Sequence, residues 1–435
     1  PAGGESRREP REPRRQQAEP QPEQAAARPG GEVAAAPSPG RASASNRTGP
    51  EPKIPILERP ISGRTLSIET GRLAKQAAGA AVVRYGDTVV LGTVVTAEPR
   101  AGIDFFPLTV DYREKMSAAG KFPGGFFKRE GRPTLKEVLT SRLIDRPIRP
   151  LFPEGFKDEI QIQVMVLATD LQNDPDVLGI VAAAAALSVA PVPFMGPVAG
   201  VRVGRVDGQF IINPTIAQLE YSDLDLVVAG HSEAVTMIEC GCRELPEEVI
   251  ADAVEFGHKQ GVIPICEMLK RLAEVAGTPH TWEPPERDTA FLDEIRAKVL
   301  EPLRTAKRLA GKQERNDAVR AVYEQVVAEY VPAEPPPALP ETPAAAPSPE
   351  AARAAEEVKA AISEVEQRLV RDLILDEGRR PDGRKLDDLR MISCDVGWLP
   401  RVHGSALFTR GETQAMVVCT LGTSRDEQII DDLLE

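Results

Sequence analysis

The chain has 435 residues, with 53 Lys/Arg against 66 Asp/Glu, a formal net charge of −13, and 42% hydrophobic residues. This length leaves room for two or three domains, and the apolar content is sufficient for real cores. The sequence has no apolar run long enough to span a membrane. Its five cysteines are too scattered for a zinc site, so they predict reduced thiols in a cytoplasmic protein.

Residues 1–53 are rich in Pro, Ala, Gly, Glu and Arg and contain almost no large apolar side chains. Such a segment buries too little surface to offset its ordering entropy, so it is predicted to be disordered. Its many glutamates argue against a mitochondrial transit peptide, and it lacks the apolar core of a signal peptide. Because the chain begins with Pro1 instead of Met, its N-terminus is expected to be incomplete.

Residues 54–277 show an α+β pattern, in which turn signals such as Gly86-Asp87 and Asp207-Gly208 separate apolar runs. The predicted strands cover 64–69, 81–85, 88–96, 105–112, 159–169, 198–206, 209–213, 224–229 and 235–240. One helix is predicted after Thr134. Two more are predicted over 175–190, which is Ala-rich and buried, and over 246–276, with a break near Gly261 and Pro264.

The stretch 113–149 is a basic island in this acidic chain, with ten Lys/Arg against four Asp/Glu. It contains a flexible loop that reads Gly-Gly-Phe-Phe-Lys-Arg at 124–129. Aromatic faces stack on unpaired bases while cations follow the phosphate backbone, so this loop predicts binding of a single-stranded polyanion. The spacing alone is equally compatible with structural Arg–carboxylate pairs beside an ordinary surface loop.

The helix of this island is predicted to begin at a capping box formed by Thr134 and Glu137. Pro147 is predicted to end it, because the residue before a proline is pushed out of the α region. The apolar face of the helix is formed by Leu135, Val138 and Leu139. Arg142 and Arg146 fall on that same face, so they are expected to point toward the body of the protein or into a cleft and to need anionic partners.

Residues 278–375 are predicted to form a helical linker domain, with helices over 291–309, 314–330 and 351–375. The Pro/Ala-rich segment 331–350 is expected to be a mobile insertion. The helices carry apolar residues at helical spacing. These apolar faces need a covering partner, which favours a packed domain over a solvated spacer.

The last part of the chain repeats the first. Residues 79–88 align without gaps on 404–413, and Gly63-Arg64 matches Gly383-Arg384. A second copy of the first fold is therefore predicted to begin near Pro381. A hairpin or two cannot close a core alone, so this second copy, over 376–435, is expected to be incomplete.

The segment GGFFKREGRPTLKEVLTSRLIDRPIRPLFPEGF at 124–156 closely resembles the first RNase PH-like domain of the polynucleotide phosphorylase family, whose loop reads FFRR where this chain has Lys128. The resemblance extends from about Ile56 to the last residue, with the Pro-rich interruption. It implies an α+β fold: an RNase PH-like domain with a mixed sheet and covering helices, then an all-helical domain, then an incomplete second RNase PH-like copy.

The resemblance also implies a function, the 3′-to-5′ phosphorolytic degradation of single-stranded RNA in mRNA turnover, with release of nucleoside diphosphates. It implies Mg²⁺, inorganic phosphate as co-substrate, a homotrimer and RNA-degradosome-type partners. In the family, the aromatic-basic loop lines the opening through which RNA enters the ring. The residues that the resemblance and the basic island together assign to RNA binding are Phe126, Phe127, Lys128, Arg129, Arg132, Arg142, Arg146 and Arg149.

No catalytic or metal-binding residue is assigned in this chain, because the family's phosphate-binding turn and metal-binding aspartates lie later in the second RNase PH-like domain. The acidic run of Asp170, Asp174 and Asp176 is interpreted as part of a helix cap. His403 is interpreted as structural. Arg410 stands where the first copy has Tyr85, and it either faces an active site or is an ordinary hairpin arginine.

Two functions from different classes stay open. The first is a truncated form of a processive RNA-degrading enzyme, which is expected to be inactive alone. The second is a non-catalytic RNA-binding or assembly subunit of an RNA-degrading ring. Phosphate-dependent release of nucleoside diphosphate from RNA separates the two.

Overall fold

The computed structural model describes residues 54–99, 103, 105–124, 126–280, 282–284, 288–331, 349–427 and 433, with the backbone alone for 349–354. All of them belong to one compact unit, Lys53–Glu435. The predicted disordered tail 1–53 and most of the predicted insertion 331–350 lie outside the described residues. The domain limits proposed from the sequence stay a prediction.

A six-stranded sheet forms the first layer, with the strand order β1-β2-β3-β4-β6-β5. Its members are β1 (Ile56–Ile61), β2 (Arg64–Thr70), β3 (Gly79–Tyr85), β4 (Thr88–Ala97), β5 (Leu108–Glu114) and β6 (Glu159–Ala168). The sheet is mixed, because β5 pairs in parallel with β6 while the other neighbours are antiparallel. Alternate residues of β3 are buried, as expected of a strand with one face on the core.

Helix α2 (Asp176–Val189) packs across β3 and β4 and is buried along nearly its whole length. Two glycines allow this close approach. A Cβ atom at Gly92 would lie 2.3 Å from the carbonyl oxygen of Ala182, and one at Gly79 would lie 2.2 Å from that of Ala186. The Ala-rich sequence of α2 therefore meets a glycine-containing sheet surface at backbone distance.

The first core continues into a second sheet with the strand order β10-β9-β7-β8. Its strands and the helices beside it are β7 (Ala199–Val206), β8 (Gln209–Ile212), α3 (Ile216–Tyr221), β9 (Leu224–Gly230), β10 (Val235–Cys242), α4 (Glu247–Gly257) and α5 (Ile263–Ala276). The predicted break near Gly261 is a π-helical segment, His258–Val262, that joins α4 to α5 without a loop. Pro264 is the second residue of α5 and follows the π-helical segment directly, so the change of helix type lies where the proline has no N–H to donate.

Three helices form a second core: α6 (Thr289–Lys307), α7 (Lys312–Tyr330) and α8 (Pro349–Glu377). Buried side chains at helical spacing, such as Ile295, Val299 and Leu303 of α6, meet those of α8. The apolar faces predicted in this region therefore cover one another. No helix within the described ranges is long and apolar enough to cross a membrane.

The predicted sequence repeat is also a structural repeat. Strands β11 (Ile392–Val396), β12 (Gly404–Arg410) and β13 (Thr413–Cys419) form an antiparallel sheet. The β12–β13 turn closes with Arg410 opposite Thr413, as the β3–β4 turn closes with Tyr85 opposite Thr88.

Two predicted boundaries are wrong. The strand predicted over 105–112 begins only at Leu108, where it pairs with Ile160, because Phe106 packs instead on Phe152 and Phe156. The helix predicted to end at Pro147 includes this proline and runs to Ile148. Strand β1 and helix α3 were not predicted at all.

Candidate RNA-binding site

The tip of the loop before the basic helix presents two aromatic rings to solvent. Phe126 and Phe127 are 94% and 86% exposed, with their ring centroids 5.4 Å apart in an edge-to-face arrangement. Lys128 and Arg129 follow directly and are exposed. Lys128 has a φ of +46°, a left-handed backbone that turns the chain at the loop tip. The loop thus presents stackable rings beside two cations.

Of the ten basic residues of the island, six have a partner and four have none within the described part of the chain. Arg113, Lys115, Lys121, Lys136, Arg146 and Arg149 each contact a carboxylate or a backbone carbonyl. Lys128, Arg129, Arg132 and Arg142 make no side-chain hydrogen bond or ion pair to the described residues. The positive charge at and beside the loop tip is therefore open to an external anion.

Two contacts hold the root of the loop against the end of β5 and the residues that follow it. Glu130 accepts a hydrogen bond from the backbone N–H of Met116 at 3.1 Å and forms an ion pair with Lys115. The guanidinium of Arg113 donates to the carbonyl of Gly131 at 3.1 Å. Sequence reasoning missed this role of Glu130, although it is the one acidic residue between 115 and 136.

Helix α1 (Leu135–Ile148) starts with the predicted capping box, in which Thr134 and Glu137 bond to each other's backbone N–H. The predicted orientation of its apolar-basic face is wrong. Leu135, Val138 and Leu139 are 75%, 45% and 52% exposed, and Arg142 and Arg146 are exposed beside them. The opposite face carries the buried Leu143, Ile144 and Ile148.

Arg146 of α1 and Arg149, which directly follows the helix, have the structural role that the alternative interpretation assigned to the whole island. Arg146 forms an ion pair with Glu239 of β10. Arg149 holds Asp145 through two hydrogen bonds, of 3.0 and 2.7 Å, and donates to the carbonyl of Leu108 at 2.9 Å. Arg132 and Arg142 are exposed and have no partner among the described residues. In this they are like Lys128 and Arg129 of the loop tip and unlike Arg146 and Arg149.

A buried ionisable cluster lies behind α1. Tyr112 donates to Glu114 at 2.7 Å, and the ammonium of Lys136 lies 3.1 Å from the same carboxylate and 3.5 Å from Asp174. Burial raises the pKa of Glu114 to about 7, although Lys136 and Tyr112 act in the opposite direction. Burial acts to lower the pKa of Lys136, but Asp174 and Glu114 outweigh it and raise that pKa.

The other acidic and histidine candidates have internal partners. Asp170 accepts from the backbone N–H groups of Gln172 and Asn173, and Asp174 accepts from that of Asp176 at the start of α2. His403 accepts through Nδ1 from the N–H of Leu421. Arg410 is exposed at the end of β12. Among the described residues, no group of three or more His, Cys, Asp or Glu side chains is placed to hold a metal ion.

Family models match three parts of the chain. Residues 62–193 match domain 1 of the 3′ exoribonuclease family and residues 196–260 match its domain 2. Residues 290–385 match the RNA binding domain of polyribonucleotide nucleotidyltransferase. Together these matches run through the mixed sheet, the second sheet and the three helices.

Comparison with individual curated proteins gives the same result. The chain is 48% identical over 379 residues to the polyribonucleotide nucleotidyltransferase of Rhodopirellula baltica, over 87% of this chain and 48% of that protein. It is 50% identical over 378 residues to that of Rhodospirillum centenum, over 85% and 50%. The chain belongs to the polyribonucleotide nucleotidyltransferase family. A third relative, from Chelativorans, is 52% identical over 375 residues, with 85% of this chain and 50% of that protein covered.

The chain spans about half the length of the curated polyribonucleotide nucleotidyltransferases that it matches. The resemblance to the polynucleotide phosphorylase family that was identified from residues 124–156 is confirmed, and so is the RNase PH-like α+β fold class. A solved structure of rice Rrp46 aligns with a TM-score of 0.38 and 16% identity, over 51% of this chain and 93% of that chain.

Proposed function

We propose that this chain acts in the 3′-to-5′ phosphorolytic degradation of single-stranded RNA and that its aromatic-basic loop holds the strand. The observation that carries the proposal is the loop tip, where Phe126 and Phe127 are exposed beside the unpaired Lys128 and Arg129. Identity of about 50% to polyribonucleotide nucleotidyltransferases supports the reaction class.

In this reaction an oxygen of inorganic phosphate attacks the phosphorus of the 3′-terminal phosphodiester. The bond to the 3′ oxygen of the preceding nucleotide breaks, that oxygen takes a proton, and a nucleoside diphosphate leaves. Such phosphoryl transfer depends on positioning and charge neutralisation more than on a covalent nucleophile. The proposed part of this chain is to position the strand, with rings for the bases and Lys128, Arg129, Arg132 and Arg142 for the phosphates.

The resemblance also implies Mg²⁺. The described residues do not offer a ligand set for it, since no group of three or more His, Cys, Asp or Glu side chains is placed to bind a metal. In the acidic run at 170–176, Asp170 accepts hydrogen bonds from backbone N–H groups and Asp176 forms an ion pair with Arg202. Arg410, which is exposed at the end of β12, is a proposed active-site-facing residue.

We further propose a homotrimer, in which three loops surround one opening and concentrate their positive charge there. A throat lined by phenylalanines admits a single strand, whose bases can stack, and excludes a duplex. RNA-degradosome-type proteins are the proposed partners. The five cysteines are free thiols, which supports the cytoplasm as the proposed compartment.

The test is an assay of the purified protein with poly(A), with and without inorganic phosphate. The chain alone is expected to release no ADP, whereas the same chain extended to the length of its curated relatives is expected to release ADP only when phosphate is present. Single-strand binding by the extended chain without ADP release would favour the alternative, a non-catalytic RNA-binding or assembly subunit. A preparation that neither binds poly(A) nor releases ADP would overturn both. Double-stranded RNA of equal length serves as the control for strand selectivity.

A further inference from the structure

A second basic surface lies far along the chain from the loop, in a cleft between the C-terminal ends of α6 and α8 and the segment 379–390. The cleft consists of adjacent hollows of about 600 and 440 Å³ that share Ile374 and Pro381 in their walls. A smaller hollow beside them shares the same two residues. Hollows of this size are in the range of ligand sites.

The charge of this cleft is strongly one-sided, because eight Lys/Arg but only three Asp/Glu line it. Each of the three carboxylates already has a basic partner within the cleft. The side chains of Arg371 and Arg379 make no hydrogen bond or ion pair to any described residue. The guanidinium of Arg380 donates only to the carbonyl oxygens of Leu386 and Asp388, so its charge is not cancelled by a carboxylate. The cleft therefore has an unbalanced positive charge in a chain whose net charge is −13.

The side chains that line the cleft favour the binding of phosphate groups over the stacking of bases. No aromatic side chain is among the described residues that line it, so it lacks the rings on which bases stack. Several arginines around an apolar floor at Ile374 and Pro381 instead suit the oxygens of a phosphodiester backbone. Most of the lining falls in residues 290–385, the part that matches the RNA binding domain model.

We propose that this cleft is a second RNA contact, in which Arg371 and Arg379 bind backbone phosphates of the strand that the loop holds. The proposal rests on the proposed function. In this proposal the two surfaces have different roles. The loop stacks on bases, and the cleft adds phosphate contacts that are independent of sequence and sensitive to salt. A free nucleoside diphosphate has the same phosphate chemistry, so the experiment separates the two sources.

The test compares single-stranded RNA affinity at several salt concentrations for the wild-type protein and for the double variant Arg371→Gln with Arg379→Gln. Each phosphate contact on a single strand contributes about 0.7 to the log–log salt slope. The double variant is expected to lower the slope by about 1.4, which is about a 25-fold change in relative affinity per tenfold change in salt. Because both side chains are exposed and unpaired, the melting temperature should not change.

A matched control removes the same charge from the same helical region outside the cleft. Arg296 and Arg320 are exposed on α6 and α7 and do not line the cleft. The double variant Arg296→Gln with Arg320→Gln should keep the wild-type slope. Replacement of Arg371 and Arg379 by Lys keeps the charge and should restore most of the slope.

The outcomes distinguish this inference from the function on which it rests. A wild-type protein that does not bind single-stranded RNA overturns both. If the wild type binds RNA and the loop variants weaken it, but the cleft variant matches its control, only the cleft proposal is overturned. The cleft proposal alone is also overturned if the cleft variant loses binding of ADP but keeps its RNA affinity and salt slope, because the cleft is then a nucleotide site.

Discussion

At the scale of single residues, the loop combines a free tip with a fixed root. Glu130 ties the segment after the tip to the end of β5 through a backbone N–H and Lys115. The rings of Phe126 and Phe127 have no such restraint and lie in solvent. Exposed aromatic rings on an anchored loop are costly in water unless a ligand covers them, so their affinity for bases is the property to measure.

The replacement Phe127→Ala is expected to weaken single-stranded RNA binding about fivefold or more, because a base–aromatic stack contributes roughly 1–3 kcal/mol. The control is Phe105→Ala, which removes an exposed ring outside the loop. Replacement of Lys128 and Arg129 by Ala should instead flatten the salt dependence. Fluorescence anisotropy with a labelled oligonucleotide measures both effects. Unchanged affinity and salt slope in the triple variant Phe127→Ala, Lys128→Ala, Arg129→Ala would show that the loop is only a surface loop.

Glu114 gives a second prediction at this scale, through stability at different pH values. Its pKa in the folded chain is raised to about 7 from 4.5, so the folded state binds this proton more tightly than the unfolded state. The contribution of protonated Glu114 to the free energy of unfolding is therefore fully present below pH 4.5 and is lost as pH rises to about 7. The free energy of unfolding of wild type, relative to Glu114→Gln, should fall across this window by at most about 1.4 kcal/mol per pH unit. Urea unfolding at several pH values measures it, and a difference that is constant with pH would contradict the assignment.

At the scale of elements, the contact between α2 and the first sheet depends on glycine at two strand positions. The replacement Gly79→Ala would place a Cβ atom 2.2 Å from the carbonyl oxygen of Ala186, which belongs to rigid backbone. We expect a loss of about 1–3 kcal/mol in the free energy of unfolding, the usual cost of overpacking.

The control for this prediction is Gly241→Ala on β10, where the new Cβ atom would meet only the carbonyl oxygen of Asp225, at an ordinary 3.9 Å. Its effect should stay within about 0.5 kcal/mol. Chemical denaturation of both variants measures the difference. Equal effects would mean that the α2–sheet contact is not at backbone distance.

The sequence predicts those features of the elements that depend only on residues close together in the chain. The capping box at Thr134 and the Asp-Gly and Gly-Asp hairpins depend on neighbours in the chain, and they are found where they were predicted. The orientation of α1 could not be predicted, because it depends on a distant strand. Glu137 is buried and accepts the N–H of Glu114 on β5 as well as that of Thr134, which turns the polar side of the first helical turn inward and the leucines outward.

At the scale of the whole molecule, the described residues form two apolar cores. One is built almost entirely from residues 61–276, with Trp282 against Phe156 at its edge and Leu433 as the distant exception. The other is built from the three helices between 289 and 377. No buried residue is shared between the two clusters.

The segment 54–284 is therefore expected to fold without the rest of the chain, because it contains nearly all of the first core. Expressed alone, it should give a cooperative thermal transition and native-like near-UV circular dichroism. The full chain serves as the reference. A segment that melts without cooperativity would show that the first core needs the helical part or the residues around Leu433.

Because the hairpin occurs twice, the two copies within this one chain can be compared position by position. Gly86 and Gly411 occupy the same turn position with φ of +63° and +61°, so the backbone requirement is retained in both copies. One position earlier the copies have diverged, since Tyr85 is buried and donates to the carbonyl of Ile61 whereas Arg410 is exposed. Duplication followed by divergence explains both observations. Positions that agree between the copies record what the fold demands, and positions that differ record where one copy became free to acquire a separate task.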